Sequence, residues 1–146
     1  MARLGPLVIR LALGAIFFAH GAQKMLGWWG GAGFSGTLAA FTKQGMPLPM
    51  AILVIAAEFF GSLGVFFGCL TRLAAFGIAA VMTGAIFLVH LQYGFFMNWF
   101  NVPGKGQGIE TCLGYLAMAV SLMLTGAGPL SIDSLWGGGR GDSDGG

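Results

Sequence analysis

No Asp, Glu, Lys or Arg occurs between Arg72 and Lys105, and none between Glu110 and Asp133. A chain of 146 residues that leaves such stretches uncharged cannot cover a water-facing globular surface with solvated side chains. An ordinary soluble domain carries about 25% charged residues; here the share is 8%, against 56% hydrophobic. A soluble enzyme and a disordered chain are both excluded on this ground. A net charge of +2 offers no basic stripe, so nucleic acid is excluded as a partner. What remains is an integral membrane protein in contact with lipid.

Shorter charge-free gaps separate Arg10 from Lys24, Lys43 from Glu58, and Glu58 from Arg72. A spanning helix needs about 20 mostly apolar residues. Four segments meet that need, at 4–26, 47–68, 73–92 and 109–126. Their length and Leu, Ile, Phe and Ala content predict helices and not barrel strands. The predicted fold is therefore all-α, an antiparallel four-helix membrane bundle over residues 1–136. The Gly-rich stretch 137–146 is expected to be a disordered tail. Arg3 and Arg10 before an apolar run ending at Ala22 also fit a signal peptide. Lys24 follows that run almost at once, so the segment is read as a retained helix.

Cys69 closes the second segment and Cys112 opens the fourth. In an up-down bundle they stand about 30 Å apart, at opposite membrane faces. A disulfide needs Cα atoms within about 7 Å, so none is expected, and no C-x-x-C offers dithiol exchange. With the N-terminus inside, Arg3, Arg10, Arg72 and Arg140 fall on the inner side and Lys24, Lys43 and Lys105 on the outer. The positive-inside rule then places both termini in the cytoplasm. The long connections, 27–46 and 93–108, share the outer side, and their Trp and Phe residues suit the headgroup belt.

Polar residues inside the helices carry whatever chemistry the chain has. Arg10, Gly14, Phe17, Gly21 and Lys24 recur every three or four residues and so share a helix face. Glu58, Gly61 and Val65 form a comparable seam on the second helix, and Glu110, Gly114, Ala117, Ser121 and Thr125 on the fourth. Arg10 and Glu58 are expected to differ in depth by about 6 Å, within reach of an ion pair. The alternative keeps Glu58 protonated or uses it as a proton relay.

A second cluster, His20, Lys24, His90 and Glu110, is expected at the outer boundary, beside Gln92 and Tyr93. Bundles form interior sites in this way, from several helices at one depth. No H-x-x-E-H or H-x-x-x-H spacing is present and Lys24 would repel a cation, so no metal is expected. His and Lys donors suit a quinone carbonyl or a small oxyanion, with Glu110 balancing Lys24.

Arg10-x3-Gly14 followed by His20-Gly21-x2-Lys24 resembles the opening of the DoxX family. So do Gly45-Met-Pro, Glu58-Phe-Phe-Gly61-Ser, Gly68-x2-Thr71-Arg72 and the closing Thr125-Gly-Ala-Gly-Pro-Leu-Ser131-Ile-Asp133. The resemblance runs to Trp136. It implies a four-helix protein of the bacterial cytoplasmic (inner) membrane, related to the small quinone-reducing subunit of thiosulfate:quinone oxidoreductases. It further implies association with other membrane or peripheral subunits that handle sulfur compounds or redox stress.

Two functions follow. One is a quinone-linked oxidoreductase subunit, with His20 or Glu58 supplying protons as catalytic residues and Lys24, His90, Glu110 and Arg10 binding the ligand. No haem, flavin or iron–sulfur motif is present, so quinone would be the redox group. The other is a non-catalytic accessory or scaffold subunit of a larger membrane complex.

Overall fold

A computed structural model describes residues 4–137. Among these the chain is helical, with α1 at Gly5–Met25, α2 at Gly33–Lys43, α3 at Leu48–Phe67, α4 at Thr71–Ala85, α5 at Glu110–Thr125 and α6 at Ile132–Gly137. α4 continues as a π-helical turn, Ile86–His90, and a 3-10 turn, Leu91–Tyr93. Among the described residues three helical stretches are long and apolar enough to cross a membrane: Gly5–Met25, Leu48–Phe67 and Thr71–Tyr93. α5, at 16 residues, is shorter than the span predicted at 109–126 and extends only about 24 Å. The tail read as disordered lies outside the described residues, apart from Gly137, which ends α6.

α1, α3, α4 and α5 close a ring in that order, each packed on the next and α5 back on α1. Leu13, Phe17, Val65, Ile78, Met82 and Leu122 fill the centre. Leu53, Phe60, Leu73, Phe76, Phe87 and Leu88 stand more than half exposed on the outside. That surface would be costly in water and is the one a bilayer wants.

The α1–α3 contact is the tightest, and glycine makes it so. A Cβ on Gly14 would lie 2.7–2.8 Å from Phe66, and one on Gly21 would lie 2.7 Å from the Phe59 Cα. These two contacts set the register. Glu58 stands level with Ala22, while Phe67, the end of α3, stands level with Leu13. α1 therefore begins about 12 Å beyond the end of α3, a stagger of eight residues. At the opposite end α3 overhangs α1, and α2 lies against that overhang and α1. The Thr37 hydroxyl of α2 donates to the Lys24 carbonyl at 3.3 Å, which serves the open C-terminus of α1.

The stagger overturns the expected Arg10–Glu58 pair. Arg10 stands level with Leu70, about 18 Å along the axis from Glu58. Its guanidinium is buried against Gly68 and Ser131, and Nη2 donates to the Leu130 carbonyl at 2.8 Å. The closing segment that resembles a family motif is thus a clasp. The Asp133 carboxylate accepts the backbone N–H groups of Leu70 at 2.7 Å and Thr71 at 2.9 Å, which caps α4. Its own N–H donates to the Gly68 carbonyl at 2.8 Å. Burial pushes the Asp133 carboxyl upward, but the hydrogen bonds from Thr71 and Leu70 and the nearby Arg10 charge outweigh it and hold the group below its ordinary value. Arg10 therefore serves folding at the end of the bundle remote from His20.

The fourth helix also differs from its predicted seam. Gly114, Ala117 and Thr125 are exposed, while Ala119 and Leu122 are buried. The larger apolar side chains of α5, Tyr115, Leu116 and Leu122, are the ones that fill the gap against α1 and α4, so the small-residue stripe turns outward. Cys69 and Cys112 are both free and partly buried.

Candidate ligand-binding site

A cavity of about 710 Å³ occupies the His20 end of the bundle, between α1, α3, α4 and α5, with α2 contributing Phe41 and the residue after it, Gln44, closing one side. Most of its wall is apolar: Phe17, Met50, Leu53, Val54, Phe76, Met82 and Leu88. Small residues at Ala57, Gly77, Ala80 and Gly84 leave the space that larger side chains would fill. The exposed lining residues Leu53, Phe76 and Leu88 mark an opening between α3 and α4. In a spanning bundle that opening faces the acyl chains.

Polar groups converge on the cavity from three helices: His20 and Lys24 of α1, Glu58 of α3, and His90 at the end of the α4 continuation. Lys24 Nζ forms an ion pair with Glu58 Oε2. The Glu58 side chain is 7% exposed and the Lys24 side chain 26%. Gly21 permits this pair, because the close approach of α1 to α3 brings the Lys24 stem back along the α3 surface. Pairing removes the net charge from an apolar wall, where either ion alone would be costly. Serine follows the same logic nearby: Ser62 Oγ, fully buried, donates to the Phe59 carbonyl at 2.6 Å.

His20, Lys24 and His90 are thus brought together, and Glu58 joins them from an unexpected direction. Glu110 does not. It is the first residue of α5, its N–H donates to the Phe95 carbonyl at 3.0 Å, and its side chain is not part of the cavity wall. The balance for Lys24 comes from Glu58, because the loop after Tyr93 folds back and puts Gln107, not Glu110, against His90. Gln92 caps the Val89 carbonyl and Tyr93 packs on Gly106, so neither reaches the cavity. Among the described residues no His, Cys, Asp and Glu set stands close enough to hold a metal.

Sequence reasoning missed α2 and its cavity residues, and it missed the fixed loop 94–109. Asn98 organises that loop: its Nδ2 donates to the Val102 and Lys105 carbonyls at 3.1 and 2.7 Å, and its Oδ1 accepts the Val102 N–H at 2.9 Å. The signal was present as Asn98 within the aromatic run and Gln107 within the Gly-rich run, but no spacing rule identifies such a pair.

The geometry defines a class: a helical membrane protein with a lipid-facing apolar cavity that ends in paired charges and two histidines. The DoxX family model matches residues 5–91. An alignment over 130 residues with "Putative oxidoreductase CatD" of Bacillus subtilis (strain 168) is 33% identical and covers 89% of this chain and 85% of the relative. "Inner membrane protein YqjF" of Escherichia coli (strain K12) is 31% identical over 138 residues, covering 90% of this chain and 92% of the relative. No solved structure matches significantly. The chain belongs to the DoxX family.

Proposed function

We propose that this DoxX-family protein binds the head of a lipid-soluble quinone in the cavity and serves as the membrane subunit of a quinone-linked oxidoreductase system. The observation that carries this reading is the cavity itself: about 710 Å³, apolar-walled, open toward lipid, and polar at one end. That volume lies in the usual range for small-ligand sites, roughly 300–1,000 Å³. The name of the Bacillus relative supports redox chemistry, and that of the Escherichia relative supports the bacterial inner membrane. In that setting both termini lie on the cytoplasmic side and the cavity lies toward the outer leaflet. The setting of that system, sulfur compounds or redox stress, comes from the family resemblance.

The donor set fits the proposed group. A quinone supplies a two-electron acceptor that takes up two protons on reduction. Lys24 Nζ, steadied by Glu58 Oε2, offers N–H donors to a carbonyl or anionic head. His20 has no protein hydrogen bond among the described residues, so its ring is free to give or hold a proton at the head. Glu58 Oε1 likewise has no hydrogen-bond partner among them and can hold a proton at the base of the cavity. Glu58 is buried among the apolar walls, which strengthens its contact with Lys24.

A test needs no knowledge of the electron donor. The purified protein in lipid nanodiscs is titrated with decylubiquinone, and quenching of its tryptophan fluorescence is followed. Saturable binding is expected, with His20→Ala weakening it by about 3- to 10-fold, the value of one hydrogen bond. Gly84→Phe should abolish it, since a Cβ there meets nothing within 4 Å and the ring would occupy the cavity. Unsaturable partitioning that Gly84→Phe leaves unchanged contradicts the reading. It would favour the accessory-subunit alternative, which rests on Trp99 and Phe100, 72% and 92% exposed on the loop beyond α4.

A further inference from the structure

We infer that His90 is the hydrogen-bond acceptor of this cavity, its tautomer fixed by the loop 94–109, and that the site therefore selects the reduced, hydroxyl-bearing form of the head. The inference rests on the quinone-site reading and adds to it which redox form is held. His90 Nδ1 lies 2.8 Å from the Gln107 carbonyl oxygen. A carbonyl can only accept, so Nδ1 carries the hydrogen. In a neutral imidazole the other nitrogen, Nε2, is then a bare lone pair. Nε2 has no partner among the described residues, and the ring lines the cavity.

Two further features hold His90 in this arrangement. The last turn of α4 widens into a π-helix over Ile86–His90, directly at the residue in question. The extra residue turns His90 round relative to a continuous α-helix, and π-turns of this kind are frequent at functional sites. The Gln107 carbonyl is itself held. Gln107 Oε1 accepts the Asn98 N–H at 2.7 Å, and Asn98 is 8% exposed with its amide fully bonded to the loop. The Ile109 N–H donates to the Gly94 carbonyl at 3.1 Å, which closes the loop at its base.

The cavity thus offers donors at Lys24 and an acceptor at His90. A hydroquinone matches both, because one hydroxyl can accept from Lys24 while another donates to His90 Nε2. The oxidised head carries carbonyls only and leaves the Nε2 lone pair facing another acceptor. An etherified head loses the same donor. A site that satisfies a ligand hydroxyl disfavours analogues lacking it, because its own acceptor is then left facing an apolar group or another acceptor.

The test uses decyl-hydroquinone, its dimethyl ether and decyl-benzoquinone, titrated into the nanodisc-embedded protein at pH 8, above the ordinary imidazole range. The hydroquinone is expected to bind at least 10-fold more tightly than the ether or the quinone. His90→Phe should erase that preference by weakening the hydroquinone alone. Ring-¹⁵N-histidine NMR gives a readout independent of ligand: the chain has two histidines, and His20→Ala leaves only His90. Its spectrum should show Nδ1 protonated and Nε2 bare, and Asn98→Ala should mix the tautomers by loosening the loop. Binding with equal affinity for all three probes, or an Nε2-protonated ring, overturns this inference while the cavity reading stands. If none of the probes binds, both fall.

Discussion

Glu58→Ala is expected to destabilise the bundle by about 3–5 kcal/mol, the range for removing one partner of a buried ion pair. The loss would come from what remains. Lys24 is three-quarters buried, its ammonium sits against apolar walls, and among the described residues no other acid lines the cavity. Lys24→Met combined with Glu58→Leu should recover much of that loss, because the charge and its counter-charge leave together. A double-mutant cycle read by thermal unfolding in detergent separates the coupling from the individual substitutions. Arg10→Ala should show no coupling to Glu58, since the two stand at different ends of the α1–α3 contact. An Arg10–Glu58 coupling above about 1 kcal/mol would contradict the register set by Gly14 and Gly21.

A comparable effect is expected from Gly21→Leu. The first added carbon would lie 2.7 Å from the Phe59 Cα and 2.9 Å from its nitrogen, and backbone cannot rotate aside. α1 and α3 must part, which strips packing along their whole contact and pulls Lys24 from Glu58. Overpacking of this kind costs typically about 1–3 kcal/mol at one site. Gly14→Leu meets Phe66 in the same way, so the double variant should fail to accumulate in membranes. Gly114→Leu is the control, because a Cβ there meets nothing within 4 Å. Membrane levels of the four proteins, compared by quantitative blotting, give the result. Normal accumulation of Gly14→Leu with Gly21→Leu would mean that α1 and α3 are not in this contact.

The spans were legible because charge is excluded from a bilayer, and long gaps such as that from Arg72 to Lys105 survive any detail of packing. The α1 seam was legible for a related reason. Arg10, Gly14, Phe17 and Gly21 share a face by periodicity alone, and all four are buried. Depth was not legible. Counting from helix ends treated α1 and α3 as level, and a stagger of about 12 Å turned an expected Arg10–Glu58 pair into Lys24–Glu58 and an Arg10 clasp. α2 escaped because its sequence, GFSGTLAAFTK, carries two glycines and buries only Thr37, so it has little apolar face to read. Glu110 was matched to Lys24 by depth, but a folded loop intervenes, held by two amide side chains, Asn98 and Gln107. Small-residue stripes misled on α5 because nothing in a stripe says whether it faces a neighbour or the outside.

On the proposed function a lipid-soluble quinone head occupies the cavity between α1, α3, α4 and α5. The most direct measurement is labelling with a photoreactive azido-quinone in membranes, followed by mass spectrometry of the cross-linked peptides. Adducts are predicted on the cavity wall, within Leu53–Glu58 of α3 and Phe76–His90 of α4 and its continuation, and excess decylubiquinone should suppress them. Adducts confined to the exposed aromatic loop at Phe95–Phe100, or labelling of the wall that competitor does not reduce, would contradict the claim.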